Sequence, residues 1–361
     1  MLATRGEHED AYHRLVQFLT GWAHTMNRRE MLRTLGWAAS AAAVGHVLEP
    51  DEQARVASAL GDSGRVDALT IDHFEAVLWR CERQDDALGP RGVLDTVLTQ
   101  RNLLGSLLPD CPGMLRPRLL SVLSDASRQA GWLSFDLNDV HRAGYFYENS
   151  RALAHEAENI ELSAIILCGM SHSAVWQKKA RIGMDHAVAA REWANRSADM
   201  GLRAYCADIA AKAYSAAGQK EACLMALDTA EAMLAGTGDQ QSGLVYFYGE
   251  GAHTLNCGQC HLTLRDPGRA LDYAHRSLAS LDPSFTRLVA FTSVNLGRAY
   301  AQSGEVEEAA RLLGDAGEIA ARNSSARLIK ILRKSRAELA PWQDSSAVRV
   351  LDDRLTSYRV T

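Results

Sequence analysis

Residues 296–316 read LGRAYAQSGEVEEAARLLGDA and predict two helices that fold back on each other as a hairpin. Gly297 and Ala309 are small enough to let the two helices approach closely, and Tyr300 is expected to fill the gap between them. Gly304 is expected to end the first helix in a left-handed conformation, as glycine commonly does after a helix. A hairpin of this kind cannot bury its apolar side alone, so neighbours of the same kind are expected beside it.

The same spacing of small and aromatic residues recurs upstream, which predicts an array of about five hairpins over residues 120–320. The matching residues are Ala211, Tyr214, Gly218 and Cys223, then Gly258, His261 and Ala270, with weaker matches at Ser171, Gly183 and Ala190 and at Gly131, Tyr147 and Ser150. The pitch is about 40 residues, against about 34 for the standard tetratricopeptide unit. The helices or the connecting loops must therefore be longer, and residues 234–243, rich in Gly, Thr, Asp and Gln, are expected to form such a loop.

The rest of the chain is also predicted to be helical. No proline occurs between Pro117 and Pro267, and proline is the residue that interrupts helices most strongly. Apolar residues recur at intervals of three and four, and strand-like alternation is hard to find. A length of 361 residues exceeds one typical domain, but it suits a repeat array, in which each unit packs only on its neighbours.

Further helices are expected on both sides of the array. Upstream, helices are predicted at residues 7–24, with Leu15, Phe18, Leu19 and Trp22 on one face, and at 27–48; a hairpin broken near Gly89-Pro90 is predicted at 66–107, and Pro50-Asp51 suggests a further helix start. Downstream, helices at 324–339 and 345–358 are expected to cap the array, because repeat arrays need polar ends. The predicted fold is all-α, a right-handed superhelix of tetratricopeptide-like hairpins, divided into an N-terminal helical region (1–116), the repeat array (117–320) and C-terminal capping helices (321–361).

Composition narrows the possible partners and compartments. The net charge of -5 argues against a protein that is basic overall, as most nucleic-acid binders are. Apolar runs are too short to predict a transmembrane helix. Seven irregularly spaced cysteines do not indicate a disulfide framework, so a reducing cytoplasm is expected.

Three motifs admit a functional interpretation beside a structural one. Residues 27–47 resemble a twin-arginine export signal, but Asn27 followed by Glu30 also fits the capping box of an ordinary helix. Cys257, Cys260 and His261 match the haem-attachment pattern C-x-x-C-H, and with His253 they have a spacing that could hold zinc; as buried repeat residues they need neither ligand. We favour the structural interpretation in each case and predict no cofactor and no metal.

A basic run follows the array at Arg322, Arg327, Lys330, Arg333, Lys334 and Arg336. It could contact nucleic acid or an acidic partner. Surface charge runs are common, however, and Leu328, Ile331 and Leu332 can turn inward while the cations face solvent. We favour the solvated face and expect no direct DNA binding.

No catalytic motif is found in the sequence, which contains no HExxH, no P-loop and no nucleophile elbow. We therefore expect a protein that is not an enzyme, and an active site assembled from distant residues is the open alternative.

The chain resembles the sensor portion of actinobacterial helix-turn-helix/tetratricopeptide transcriptional regulators. The resemblance rests on residues 27–32 (NRREML), 130–139 (AGWLSFDLND) and 143–157 (AGYFYENSRALAHEA). It implies a helical array that senses a ligand, a peptide or a protein partner in regulation. No convincing helix-turn-helix occurs in residues 1–60, so a direct DNA-binding role does not carry over, and a separate DNA-binding protein could be involved.

Resemblance to the tetratricopeptide fold also implies that the first helix of each hairpin lines a concave groove. The candidate groove residues are Arg128, Trp132, His172, Trp176, Tyr205, Asp208, Lys212, Asn256, Gln259 and Arg298, and the same offsets include Asp136, Cys168 and Val294. Aromatic platforms with a few placed polar groups suit a peptide or small molecule. The leading hypothesis is a regulatory module whose curvature or oligomeric state, such as a homodimer, changes on binding. A constitutive protein scaffold and an exported protein or enzyme are the alternatives.

Overall fold

The computed structural model describes residues 28–46, 49–236 and 243–360, and these residues form sixteen α-helices and no strand. The helices are α1 (Arg28–Ala43), α2 (Pro50–Gly61), α3 (Ala68–Leu88), α4 (Leu94–Leu107), α5 (Arg116–Asp136), α6 (Val140–Glu156), α7 (Ile160–Trp176), α8 (Ala180–Ala194), α9 (Met200–Ala216), α10 (Lys220–Leu234), α11 (Glu250–Thr263), α12 (Pro267–Ser280), α13 (Thr286–Ser303), α14 (Val306–Asn323), α15 (Ala326–Glu338) and α16 (Ser346–Ser357). The all-α prediction is confirmed.

Five helix hairpins follow one another from α5 to α14. Within each hairpin the two helices pack closely, and the first helix also packs on the first helix of the next hairpin. The helix starts at Arg116, Ile160, Met200, Glu250 and Thr286 reproduce the predicted long pitch. The widest spacing precedes α11, where the chain leaves α10 after Leu234. The helical repeat is therefore present, with hairpins of unequal length.

Small residues set how closely the helices approach. Gly304 ends α13 with a left-handed φ of 84°, and a Cβ added to Gly297 would lie 3.2 Å from the backbone oxygen of Ala309, as the sequence predicts. In the first two hairpins the ring of Tyr147 fills the gap. A Cβ added to Gly131 or Gly169 would lie 2.8 Å or 2.7 Å from that ring. Tyr147 is buried because these two glycines leave room for it.

The flanking helices also form as predicted where the structure describes them. The hairpin expected at residues 66–107 is α3 and α4, and it breaks at Gly89-Pro90. Within the segment predicted at 27–48, Arg28–Ala43 form α1, and Trp37 of this helix is fully buried in the core. The two C-terminal helices are α15 and α16. The helix expected at residues 7–24 lies outside the described residues. No described helix is both long and apolar enough to cross a membrane.

The N-terminal helices pack across the array and meet its far end. α3 contacts both α13 and α14, and α15 contacts α5. Arg287 on α13 donates hydrogen bonds from its side chain to Asp85 on α3. Arg327 on α15 donates a hydrogen bond to Asp136 on α5. Both pairs join residues about 200 positions apart in the chain. These contacts bring the first and last helices of the array together around one shared interior.

Candidate functional site

The candidate site is the inner face of the array, which we define as the side lined by α5, α7, α9, α11, α13 and α15. Each of these helices packs on the next one in the series. Side chains meet across their boundaries: Trp132 contacts His172, with ring centroids 6.2 Å apart, and Lys212 contacts Asn256. The inner face therefore brings together residues from different hairpins, as a groove requires.

One end of the inner face holds a buried ionic network. Arg287 donates two hydrogen bonds to the Asp85 carboxylate, at 2.9 Å and 2.8 Å, and lies 3.6 Å from Asp136. Arg327 donates to Asp136 at 2.9 Å. Both guanidinium groups lie over the ring of Trp132, at 5.8 Å and 4.9 Å from its centroid. Trp132 and Asp136, two of the predicted groove residues, are thus engaged by the protein itself.

Arg128 belongs to the same network. It is buried and pairs with Asp125 on its own helix and with Glu82 on α3. Charge-assisted hydrogen bonds to two different carboxylates hold this guanidinium in one orientation. We name the set Glu82, Asp85, Asp86, Asp125, Arg128, Asp136, Arg287 and Arg327 the arginine network. Its acid Glu82 on α3 pairs with Arg128, a cation that the sequence analysis assigns to a ligand.

Burial changes the proton affinity of the acids in the arginine network. Burial raises the pKa of Asp86 to about 6, although the Tyr246 hydroxyl and the Arg287 guanidinium oppose the shift. Burial raises the pKa of Glu82 to about 7, against the opposing charge of Arg128, and it also raises the pKa of Asp85. These carboxyl groups therefore bind protons more tightly in the folded chain than in the unfolded chain.

Asp86→Asn is expected to flatten the pH dependence of stability. An aspartate in the unfolded chain has a pKa of about 4, whereas burial raises the pKa of Asp86 in the fold to about 6. Its contribution to the free energy of unfolding is fully present below about pH 4 and is lost as the pH rises through about 6. Between those pH values the free energy of unfolding of the wild type should fall by on the order of 2 kcal/mol more than that of Asp86→Asn. The asparagine of this variant keeps an acceptor for the Tyr246 hydroxyl.

Urea unfolding at a series of pH values measures this difference. Asp353→Asn, which changes an exposed aspartate, is the matched control and should leave the wild-type pH profile unaltered. Equal pH profiles for the wild type and Asp86→Asn would show that Asp86 does not titrate in the fold as proposed.

A second cluster joins α9 to α11. Asp208 is fully buried and accepts hydrogen bonds from Tyr248 at 2.7 Å, His253 at 3.0 Å and Asn256 at 3.1 Å. Burial disfavours the imidazolium, but the hydrogen bond and charge of Asp208 outweigh it and raise the pKa of His253. These three donors occupy most of the hydrogen-bonding capacity of the Asp208 carboxylate. Asp208 therefore holds the side chains of Tyr248, His253 and Asn256 in place on this part of the inner face.

Lys212 lies at the centre of the inner face without an ion pair. Its ammonium donates to Asn256 Oδ1 at 3.3 Å, and no carboxylate of the described residues lies within ion-pair distance of it. Burial, with the nearby Arg327, lowers the pKa of Lys212 to about 8. Burial, Lys212 and Arg327 together hold the pKa of His172 well below its usual range. The charges of Lys212 and Arg327 therefore both act on His172, while Asp208 opposes the lowering at Lys212 and Asp136 pairs with Arg327.

The other predicted groove residues are distributed along the inner face. Tyr205 is buried against Phe247 and Tyr248, with centroids 5.3 Å and 5.2 Å away. Trp176 donates from its ring nitrogen to Asn138 at 2.9 Å. Arg298 pairs with Glu338 on α15 at 3.0 Å. Gln259 is partly exposed on α11, and Cys168 and Val294 are fully buried.

Some cations of the basic run after the array form ion pairs, although the sequence analysis favours a face on which they are solvated. Leu328 and Leu332 are fully buried, as expected. Arg327, however, is turned inward to Asp136, and Arg336 is paired with Asp352. Fewer free cations therefore remain on this helix than its sequence suggests, because two carboxylates distant in sequence face it.

The cysteine and histidine side chains of α11 make separate contacts. His261 stacks on Tyr273 with centroids 5.4 Å apart, and His253 bonds to Asp208. Cys257 and Cys260 are buried, and burial raises the pKa of Cys257. Within the described part of the chain, these side chains do not converge as a set of three metal ligands. Their burial fits the structural interpretation of the motif.

Sequence reasoning misses the residues that close the inner face. Asp85, Arg287 and Tyr246 lie in segments to which the sequence assigns no role, and only contacts across the fold reveal them. The one local signal is the adjacent pair Asp85-Asp86 at the end of an otherwise amphipathic helix. Two acids there suggest a partner cation, but the sequence does not say which one.

Comparisons with known proteins support the fold. No protein-family model matches the sequence, and no curated protein does. The crystal structure of a Rap protein complexed with Competence and Sporulation Factor is similar over 92% of this chain and 98% of that chain, with 14% identity and a TM-score of 0.54. A signal-transduction ATPase with a tetratricopeptide repeat sensor, from Pyrococcus horikoshii, aligns with 99% of this chain and 56% of its own, with 12% identity and a TM-score of 0.43. The first similarity shows that this chain has an all-α helical repeat fold.

Proposed function

We propose that the protein is a non-enzymatic regulator that binds an acidic group of a peptide on its inner face, with Lys212 as the anchor. The observation that carries this proposal is the partly buried ammonium of Lys212, which makes no ion pair among the described residues and lies near Arg327. A partly buried cation with no direct ion pair is stabilised when a partner supplies the opposite charge. A ligand carboxylate would supply it.

The neighbours of Lys212 suit a peptide. Asn256 on α11 contacts the ammonium, and Gln259 follows three residues later on the same helix; both are among the predicted groove residues. On the other side, His172 and Trp132 form an edge-to-face pair that offers an apolar wall. A charged anchor, amide groups and an aromatic wall are the parts of a typical site for a short peptide.

The fold is compatible with this role. The similar Rap protein was solved as a complex with Competence and Sporulation Factor, which supports a binding role for an array of this kind. The inner face also joins α3 and α15 through the arginine network. A ligand at Lys212 would lie beside Arg327, so its binding would act on the contacts that set the curvature of the array.

The proposal also includes the compartment in which the protein acts, the division of its chain and its oligomeric state. We place the protein in the cytoplasm, where it would act on transcription or signalling through another protein. We keep the division into 1–116, 117–320 and 321–361 as its three parts. A homodimer is the oligomeric state to test first.

Lys212→Gln is expected to abolish selection of acidic peptides. The wild type, incubated with a random pool of short peptides, should retain peptides with a free carboxylate and reject the same pool capped as amides. A charge-assisted hydrogen bond contributes about 1.5–3 kcal/mol, so the variant should bind roughly 10- to 100-fold more weakly. Affinity should also fall above about pH 8 as Lys212 loses its proton. Affinity selection followed by mass spectrometry measures both effects.

Lys220→Gln is the matched control because Lys220 is exposed at the start of α10. This variant should select the same peptides as the wild type. Retention of no peptide by the wild type, or of the same peptides by Lys212→Gln, would contradict the proposal.

A further inference from the structure

Two imidazoles and one carboxylate converge in the N-terminal helices, outside the inner face. His46 Nε2 lies 2.6 Å from Glu52 Oε1, and His73 Nδ1 lies 2.9 Å from the same oxygen. One ligand atom from each of the three side chains lies within 4.8 Å of the others. The residues come from three segments: the turn after α1, the first turn of α2, and α3.

The cluster encloses a carboxylate that lacks a cationic partner of ordinary kind. The side chain of Glu52 is 8% exposed, and its ion pairs within the described residues are with His46 and His73 alone. Arg55, three residues further along α2, is engaged by Asp67. Both imidazoles therefore face one oxygen of a carboxylate that is shielded from water.

We infer that His46, Glu52 and His73 form a binding site for a divalent first-row transition metal, with Zn²⁺ as the expected ion and water in the fourth position. Two imidazole nitrogens and one carboxylate oxygen are a ligand set that zinc accepts. With metal–ligand distances of about 2.0–2.1 Å, the ligand atoms of a tetrahedral site lie about 3.3 Å apart. The observed separations from Glu52 Oε1 are 2.6 Å and 2.9 Å, so each imidazole needs to move away from that oxygen by less than about 1 Å.

An imidazole binds a metal through a ring nitrogen that carries no proton, and a dication would also attract the Glu52 carboxylate between the two rings. The surrounding backbone also holds the ligands in place. Arg80 on α3 donates to the carbonyl of Gly45 at 2.8 Å, which fixes the residue next to His46 against the helix that carries His73. A bound metal would therefore join the end of α1 to α2 and α3.

The location of the site gives a bound metal a structural consequence. α3 carries His73 near its start and Glu82, Asp85 and Asp86 towards its end. Fixing α3 in place would also fix these acids against Arg128 and Arg287. We therefore expect metal binding to stabilise the docking of the N-terminal helices on the array.

The test is a titration of the full chain, stripped of metal with a chelator, with Zn²⁺ alone by isothermal calorimetry and with Co²⁺ alone by visible absorption. The wild type should bind a single ion, raise its thermal midpoint with Zn²⁺, and show the Co²⁺ spectrum of nitrogen and oxygen ligands. His46→Gln and His73→Gln should weaken Zn²⁺ by more than the roughly 10- to 100-fold that loss of an outer-shell partner costs. His155→Gln, which changes an exposed histidine on α6, is the control and should bind as the wild type does.

Several results would overturn the site. These are no binding by the wild type, unaltered binding by both histidine variants, or a Co²⁺ spectrum with thiolate charge-transfer bands, which would move the metal to the cysteines of α11. The wild-type spectrum does not depend on any variant, so the test holds even where a variant fails to fold. It is also independent of peptide binding at Lys212, because no peptide is present.

Discussion

Arg287→Met should lower the free energy of unfolding by about 3–5 kcal/mol, the cost of removing one partner from a buried ion pair. Arg287 donates two hydrogen bonds to Asp85 and lies 3.8 Å from Asp86 and 3.6 Å from Asp136. Without the guanidinium, these carboxylates are left buried together without their main counter-charge. Urea unfolding of the full chain measures the loss.

The loss should depend on pH in a direction that identifies its cause. Burial raises the pKa of Asp85 even with Arg287 present. Without Arg287, Asp85 should take up a proton more readily, and the protonated acid tolerates burial. The loss of unfolding free energy caused by Arg287→Met should therefore be smaller at about pH 5 than at about pH 8.

Two further variants separate the ion pair from other effects. Adding Asp85→Asn to Arg287→Met should restore part of the lost stability, because it removes one uncompensated charge. Arg311→Met removes a guanidinium paired with Glu308 and Asp315 on the exposed side of α14, and it should cost less than about 1 kcal/mol. An effect of Arg287→Met as small as that of Arg311→Met would show that α3 does not dock on α13 as described.

The hairpins could be predicted from the sequence because their signals are local. Gly304 ends α13 in the predicted left-handed conformation, and Gly297 allows the predicted close approach to Ala309. Both effects depend on residues within about one hairpin, and a repeated pattern makes them visible. The break at Gly89-Pro90 is local in the same way.

The closure of the array could not be predicted, because its partners are distant in sequence. Arg327 has the sequence context of a solvated helix face, yet it bonds to Asp136, 191 positions away. No local pattern distinguishes an arginine that faces water from one that faces a buried acid. The predicted groove residues Arg128, Trp132 and Asp208 lie on the inner helices, but only the fold shows that their own chain already engages them.

Gly89→Ala should be at least as damaging as Arg287→Met, with a loss of about 3 kcal/mol or more. Gly89 follows α3 with φ 83° and ψ 178°, a conformation that is almost restricted to glycine and costs other residues about 1–3 kcal/mol. An added Cβ would also lie 1.7 Å from the backbone oxygen of Asn323 at the end of α14. The strain and the steric overlap act at one position, so α3 and α14 would have to separate.

Two glycine controls divide this effect into its parts. Gly304→Ala introduces a side chain at a positive φ where no atom lies within 4 Å, so it should cost the backbone strain alone, about 1 kcal/mol. Gly113→Ala has neither the positive φ nor a close atom and should be nearly neutral. Urea unfolding should therefore rank the losses Gly89→Ala, Gly304→Ala and Gly113→Ala in descending order. Equal losses at Gly89 and Gly304 would mean that the end of α14 does not lie against Gly89, and the docking of α3 on the array would then be wrong.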